Sequence, residues 1–187
     1  YSDEWVAEAE RRGLPNIKCM VDAVPALVKP EAVEIFEKHG VYTKAEMESH
    51  AEVMYETYSK TINIEALTMI DMAKKQIVPA TIKYQTSLAE SVNAIKAASS
   101  AVDTSVQEAL MADISTNLKD MYVALAHLEE VAGKAEAMEE GAEQGHYYHD
   151  VVFTAMDELR KPADKLEMLV AKSAWPFPSY GDLIFEV

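Results

Sequence analysis

No glycine occurs between Gly40 and Gly133, and Pro79 is the only proline in that stretch. Such a gap excludes tight turns and calls for long helices. Cysteine is nearly missing too: Cys19 stands alone, so no internal disulfide can form, and a reducing, cytoplasmic setting is expected. Positive charge is scarce. Lys+Arg 17 against Asp+Glu 32 gives a net charge of −15, which repels phosphate backbones and anionic bilayers. Neither nucleic acid nor a membrane is therefore expected as a partner. No apolar run reaches the roughly 18–20 residues of a membrane span, and the N-terminus lacks a signal-peptide pattern. There is no glycine-rich phosphate loop, no G-x-S-x-G and no Walker lysine.

What remains is a chain of 187 residues, 49% hydrophobic and 26% charged, enough to bury a globular core. Its first residue is Tyr1 rather than Met, as in a processed protein or a piece of a longer one. Gly13, Pro15, Pro25, Pro30 and Gly40 cut the beginning into short elements, with helices expected from Asp3 to Arg12 and from Pro30 to Lys38. The fold class is all-α: an elongated antiparallel bundle of three long helices, spanning 43–174, with helices at about 44–98, 105–140 and 146–173. Residues 1–42 form a short-helix segment packing on its base, where Met47, Met54 and Tyr58 need cover. Residues 175–187 form an extended aromatic arm.

Thr43-Lys44-Ala45-Glu46 opens the first long helix as a capping box, and Thr104-Ser105-Val106-Gln107 matches the same pattern before the second. In the first helix, Ala51, Tyr55, Tyr58, Ile62, Ala66, Met69, Ala73 and Ile77 step by three and four. Between Ile62 and Ala73 the apolar surface widens, so two neighbours are expected there. Glu56/Lys60 and Asp71/Lys75 are spaced to pair along it. Ile114, Leu118, Met121, Leu125, Leu128, Ala132 and Ala135 make a coiled-coil-like seam in the second helix. Tyr148, Val152, Ala155, Leu159, Leu166, Leu169 and Ser173 do so in the third. Counting heights at 1.5 Å per residue puts Pro79 and Pro162 at about the same level. Each removes one helix hydrogen bond, so a shared bend at Pro79 and Pro162 is expected, with weaker amide protection near Lys75 and Glu158.

Candidates for chemistry are few. Glu143-Gln144-Gly145-His146 has the E-x-x-H spacing of di-iron bundles, with His149 following, but such a site needs a second E-x-x-H helix and further carboxylates. Gly145 also places the match in a loop, so a solvated acidic tip is the plainer reading. The acidic run from Glu129 to Glu143 reads as a wet helix face or, alternatively, as a patch for a basic partner. Cys19 lacks the neighbours of a nucleophile, and the ten methionines read as core filler. Glu65 and Asp71 are explained by pairing or snorkelling before acid–base work. No catalytic, cofactor or metal residue emerges, and the chain alone is expected to bind neither ATP nor glutamate.

The end differs. In WPFPSYGDLIFEV, Pro176 and Pro178 stop the helix, Ser179 to Asp182 can turn the chain, and Leu183 to Val187 is strand-like in composition. Trp175, Phe177, Tyr180 and Phe185 carry too much aromatic surface to leave in water. They either fold back over the bundle's own groove or dock on another domain or subunit.

Four stretches carry a resemblance: YSDEWVAEAERRGLPN, TINIEALTMIDMAKKQIVPATIKYQ, DVVFTAMDELRKPADKLE and WPFPSYGDLIFEV. Through them essentially the whole chain resembles the C-terminal region of type III glutamine synthetase, the large bacterial form. Only DAVPALV and KCM, between Ile17 and Val28, depart slightly from the family wording. The resemblance implies a parent enzyme that joins ammonia to glutamate using ATP and divalent metal (Mg or Mn), assembled as stacked rings of subunits. It places the nucleotide, glutamate and metal residues upstream, so the partners it implies are that catalytic domain and neighbouring subunits, and the role is assembly or regulation. The competing expectation is a free-standing interaction or sensor bundle.

Overall fold

The computed structural model describes residues 2–185; Tyr1, Glu186, Val187 and the side chain of Tyr180 lie outside the described residues. Every regular element among them is helical, as the sequence pattern predicts. Two of the first three helices end by one shared device. α1 (Asp3–Arg11) stops at Gly13, whose φ of 72° is the left-handed conformation glycine adopts without strain. Gly13 N–H bonds to Glu10 O and Leu14 N–H to Ala9 O, the paired Schellman bonds of a helix end. α2 (Met20–Ala23) runs into a short 3₁₀ turn. α3 (Pro30–Lys38) starts on a proline in its first turn and ends with Gly40 and Val41 bonding back to Glu37 and Phe36.

α4 (Lys44–Met72) opens with the expected capping box: Thr43 N–H and Oγ1–H reach Glu46 Oε2 at 2.7 and 2.8 Å, and Glu46 N–H returns to Thr43 Oγ1. A π turn (Ala73–Ile77) joins it to α5 (Val78–Ala98). α6 (Ser105–Glu136) begins differently from expectation, because Gln107 takes no part in its cap. Asp103 does the work, accepting Ser105 N–H at 2.9 Å and Ser105 Oγ–H at 3.0 Å, while Thr104 Oγ1 donates to Glu108. Aspartate two residues ahead competes well for a free helix amide, and that outweighs the box pattern. After α6 come α7 (Ala142–Tyr147), a second π turn (Tyr148–Val152), α8 (Phe153–Leu169) and α9 (Tyr180–Phe185).

The chain divides into two compact units. The first comprises Tyr1–Ile62 and Met138–His149. Val21, Val24, Ala51 and Tyr55 form its buried cluster, with Met20, Val28 and Tyr58 against it. Tyr55 donates its hydroxyl to Val21 O at 3.3 Å, so the ring is anchored as well as buried. Gly145 lies inside α7 rather than in a loop, and a Cβ there would sit 3.0 Å from the Tyr55 ring. The absent side chain lets α7 approach α4. Met47 is fully buried, whereas Met54 stays partly open to solvent.

The second unit comprises Asn63–Ala137 and Asp150–Val187. α6 packs between α5 and α8. Lys74 pairs with Glu129 and Lys96 with Glu108, so partner numbers fall on α6 as they rise on its neighbour: the helices are antiparallel. Of the predicted α6 seam, Ile114, Met121, Leu125, Leu128, Ala132 and Ala135 are buried, and Val131 joins them. Val152, Ala155, Leu159 and Leu166 do the same from the third helical stretch. Ser173 lies beyond α8, which stops at Leu169 where Val170 turns extended. Ile64 is 65% exposed, but toward its end the wide apolar stretch of α4 has two neighbours: Met69, Met72 and Ala73 line one small cavity with Met121 of α6 and with Leu159 and Ala163 of α8.

Pro162 is buried inside α8, and helical backbone continues on both sides of Pro79. The π turn before Pro79 is what the sequence reading lacked. Val78 N–H bonds to Ala73 O, five residues back rather than four. Ile77 shares a groove with Ala163, beside Pro162. One turn past it, Thr81 is fully buried with no partner for its hydroxyl. By contrast Thr61, Thr68, Thr86, Thr116 and Thr154 each donate to the carbonyl four residues back, at 2.7–3.0 Å.

Candidate functional site

Between Val170 and Ser179 the chain is neither helix nor strand. Ala174 and Trp175 N–H both bond to Ala171 O, at 2.8 and 3.0 Å, which closes one turn before Pro176 ends it. Trp175 and Phe177 are half-buried and meet edge to face, ring centres 6.1 Å apart at 76°. With Ile77, Ala163, Met168 and Leu183 they line a groove of about 550 Å³.

The expected strand does not form: Leu183, Ile184 and Phe185 belong to α9, and Glu186 and Val187 lie outside the described residues. β-branched and aromatic composition lost to a local hydrogen-bond pattern. Ser179 N–H and Oγ–H reach Asp182 Oδ2 at 2.8 and 2.7 Å, and Asp182 N–H returns to Ser179 Oγ. This is a capping box with Asp in place of Glu. Lys172 Nζ donates to the other oxygen, Asp182 Oδ1, at 2.5 Å. Lys172, then the Ser179 hydroxyl and amide, pull the Asp182 carboxyl down to a pKa of about 2.

The arm therefore has two parts. Its root lies on α8, while its tip presents Leu183, Ile184 and a 78% exposed Phe185. Tyr180 begins α9, its side chain outside the described residues. Met168, 85% exposed, lines both the arm's groove and a neighbouring one of about 450 Å³, which runs past Asp113 and Asn117. Such surfaces can bind apolar chain; they hold nothing arranged for proton transfer or nucleophilic attack.

The other sequence candidates are scattered. Glu143 and His146 lie on α7, and His146 Nδ1 faces Asp22 Oδ1 at 3.8 Å. Asp22 also accepts the Cys19 thiol at 3.0 Å. Among the described residues no group of three His, Cys, Asp or Glu side chains could hold a metal ion. Asp71 pairs with Lys75, and Glu65 is exposed. No described helix is long and apolar enough to cross a membrane. Sequence reasoning missed the helical tip of the arm, although the Ser-x-x-Asp signal stood in plain view.

The chain gains its context from its relatives. A family model described as the glutamine synthetase C-terminal domain matches residues 1–96. A glutamine synthetase of Butyrivibrio fibrisolvens is 36% identical over the whole chain, which covers 27% of that protein. A type-3 glutamine synthetase of Dictyostelium discoideum is 26% identical, and a glutamine synthetase of Bacteroides fragilis 29%; each match takes in 99% of this chain and 26% of the relative. The chain thus spans about a quarter of the length of these curated relatives. With its family model covering just over half of the sequence, the chain belongs to the glutamine synthetase C-terminal domain family.

Proposed function

We propose that the chain is the non-catalytic helical domain through which a cytoplasmic glutamine synthetase assembles its subunits. Joining ammonia to glutamate, with ATP and a divalent metal, then falls to the preceding part of the polypeptide, and the chain alone is inactive. The observation that supports this most is the divided arm. Its root is held by the Trp175–Phe177 pair and by Lys172–Asp182, while its tip keeps Leu183, Ile184 and Phe185 in solvent. A tip that served only to seal its own domain would have no reason to stay exposed. Pinning the root also lowers the entropy lost when the tip docks on a neighbouring subunit.

Removing residues 180–187 from the full-length enzyme is the test. Sedimentation should show smaller assemblies, while the domain's own melting temperature stays within a degree or two. Intact assembly after the deletion would refute the proposal. A large loss of domain stability would assign the tip to the domain's own core instead.

A further inference from the structure

The exposed tip has a counterpart at the other end of the sequence. No residue of α1 is buried, and Trp5 and Val6 are each about half exposed, as are Leu14 and Ile17 just beyond. Scattered single apolar residues on a surface are ordinary. Four half-open apolar residues within one short stretch form a surface that awaits contact.

α1 is nonetheless well made. Gly13 and Leu14 close its C-terminus with the paired backbone bonds described above. Glu8 grips Arg11 through two bonds of 2.7 and 2.6 Å and takes a third from Arg12. The Arg12 guanidinium lies over the Trp5 ring, 5.8 Å from its centre, and holds one ring face in place. A helix of nine residues is marginal by itself, so these fastenings matter. They keep Trp5 and Val6 in a fixed arrangement although no residue of α1 is fully buried.

We propose that α1, with the turn after it, is a docking surface for the part of a longer glutamine synthetase polypeptide that precedes this domain. The relatives supply the occupant. This chain matches their C-terminal part and covers only 26–27% of their length, which leaves most of each relative on the α1 side of the match. The family match includes α1 itself, so the helix belongs to the domain and is not a spacer outside it. Docking rests on the reading of the chain as a domain of a larger enzyme, but not on the arm. α1 can be seated whether or not the tip holds subunits together.

Hydrogen exchange by mass spectrometry on the full-length enzyme decides it. In the wild type, α1 amides should exchange at least about 100-fold slower than their intrinsic rates. The double variant Trp5→Ala/Val6→Ala should bring them to within about tenfold of those rates, with protection of residues 44–62 unchanged. Alanine favours helix more than either residue it replaces, and Arg12→Ala, which frees the Trp5 ring from its guanidinium while keeping Trp5 and Val6, should leave the protection in place, so loss in the double variant reports lost docking. Fast exchange of α1 in the wild-type enzyme overturns the proposal, and so does protection that survives the double substitution. Protection that vanishes when subunits are dissociated assigns the surface to a neighbouring copy, and overturns the same-polypeptide occupant.

Discussion

The core where α6 packs between α5 and α8 and the core around Val21 and Tyr55 solve the same problem by different means. The first repeats one operation along one face of α6: Ile114, Met121, Leu125, Leu128, Ala132 and Ala135 are buried, with Leu118 half-buried between the first two. The second is made once. A tyrosine anchored through its hydroxyl, two valines of the first segment and a glycine in α7 meet where no periodic pattern leads. The regular core gets its tolerance from repetition, since each layer resembles the next. The irregular core depends on a single close approach, and is vulnerable to additions where the other is vulnerable to removals.

That contrast can be broken from either side. Leu125→Ala should cost about 2–5 kcal/mol, because neighbours on two helices cannot collapse into the space. The midpoint of urea denaturation reads the loss; a change below about 1 kcal/mol would mean the seam is more plastic than its burial implies. Gly145→Ala should cost about 1–3 kcal/mol by the opposite mechanism, overpacking against the Tyr55 ring. Adding Tyr55→Leu should return part of that loss, and a double-mutant cycle with no coupling would remove the close approach from the account.

The smallest effect sharpens the comparison at the arm, where Lys172–Asp182 adds a charged tie to the packing of Trp175 and Phe177. Asp182 has a folded pKa of about 2, below the ordinary aspartate value of 3.8. A depressed carboxylate lends stability that is complete above the unfolded value and lost as pH falls through the folded one. The arm should therefore loosen between about pH 4 and pH 2, in a step absent from Lys172→Met, whose arm is already loose at neutral pH. Near-ultraviolet dichroism of Trp175 follows it. An identical acid step in both proteins would show that Lys172 does not set the window.

Helices were legible because their signals are local and redundant. The α6 seam, the Thr43–Glu46 box and the Gly40 stop each arise from neighbours in sequence, and each is present. The family was legible too, since the matching stretches run the length of the chain. Three things were not. Gly145 looked like a turn residue, because a glycine needed for close packing has the same letter as one needed for a bend. At Thr104 two caps were available, and only the geometry of Asp103 decides between them. At the arm, composition argued for a strand, while three hydrogen bonds between Ser179 and Asp182 start a helix. The candidate site was legible as a group of aromatics; its division into a held root and an open tip depends on packing that no spacing encodes.

The π turn at Ala73–Ile77 amounts to a one-residue insertion that the helix absorbed instead of looping out. One residue is worth about 100° of rotation on a helix of 3.6 residues per turn. Ala73, Ile77 and Thr81 are all buried, so the helix keeps one face to the core through the widened turn. Removing a single residue from that turn would therefore restore an ordinary α-helix and leave Thr81 and Val92 facing the core. The same deletion early in α5 would instead spin everything beyond it by more than a quarter-turn and carry Val92 out of the core.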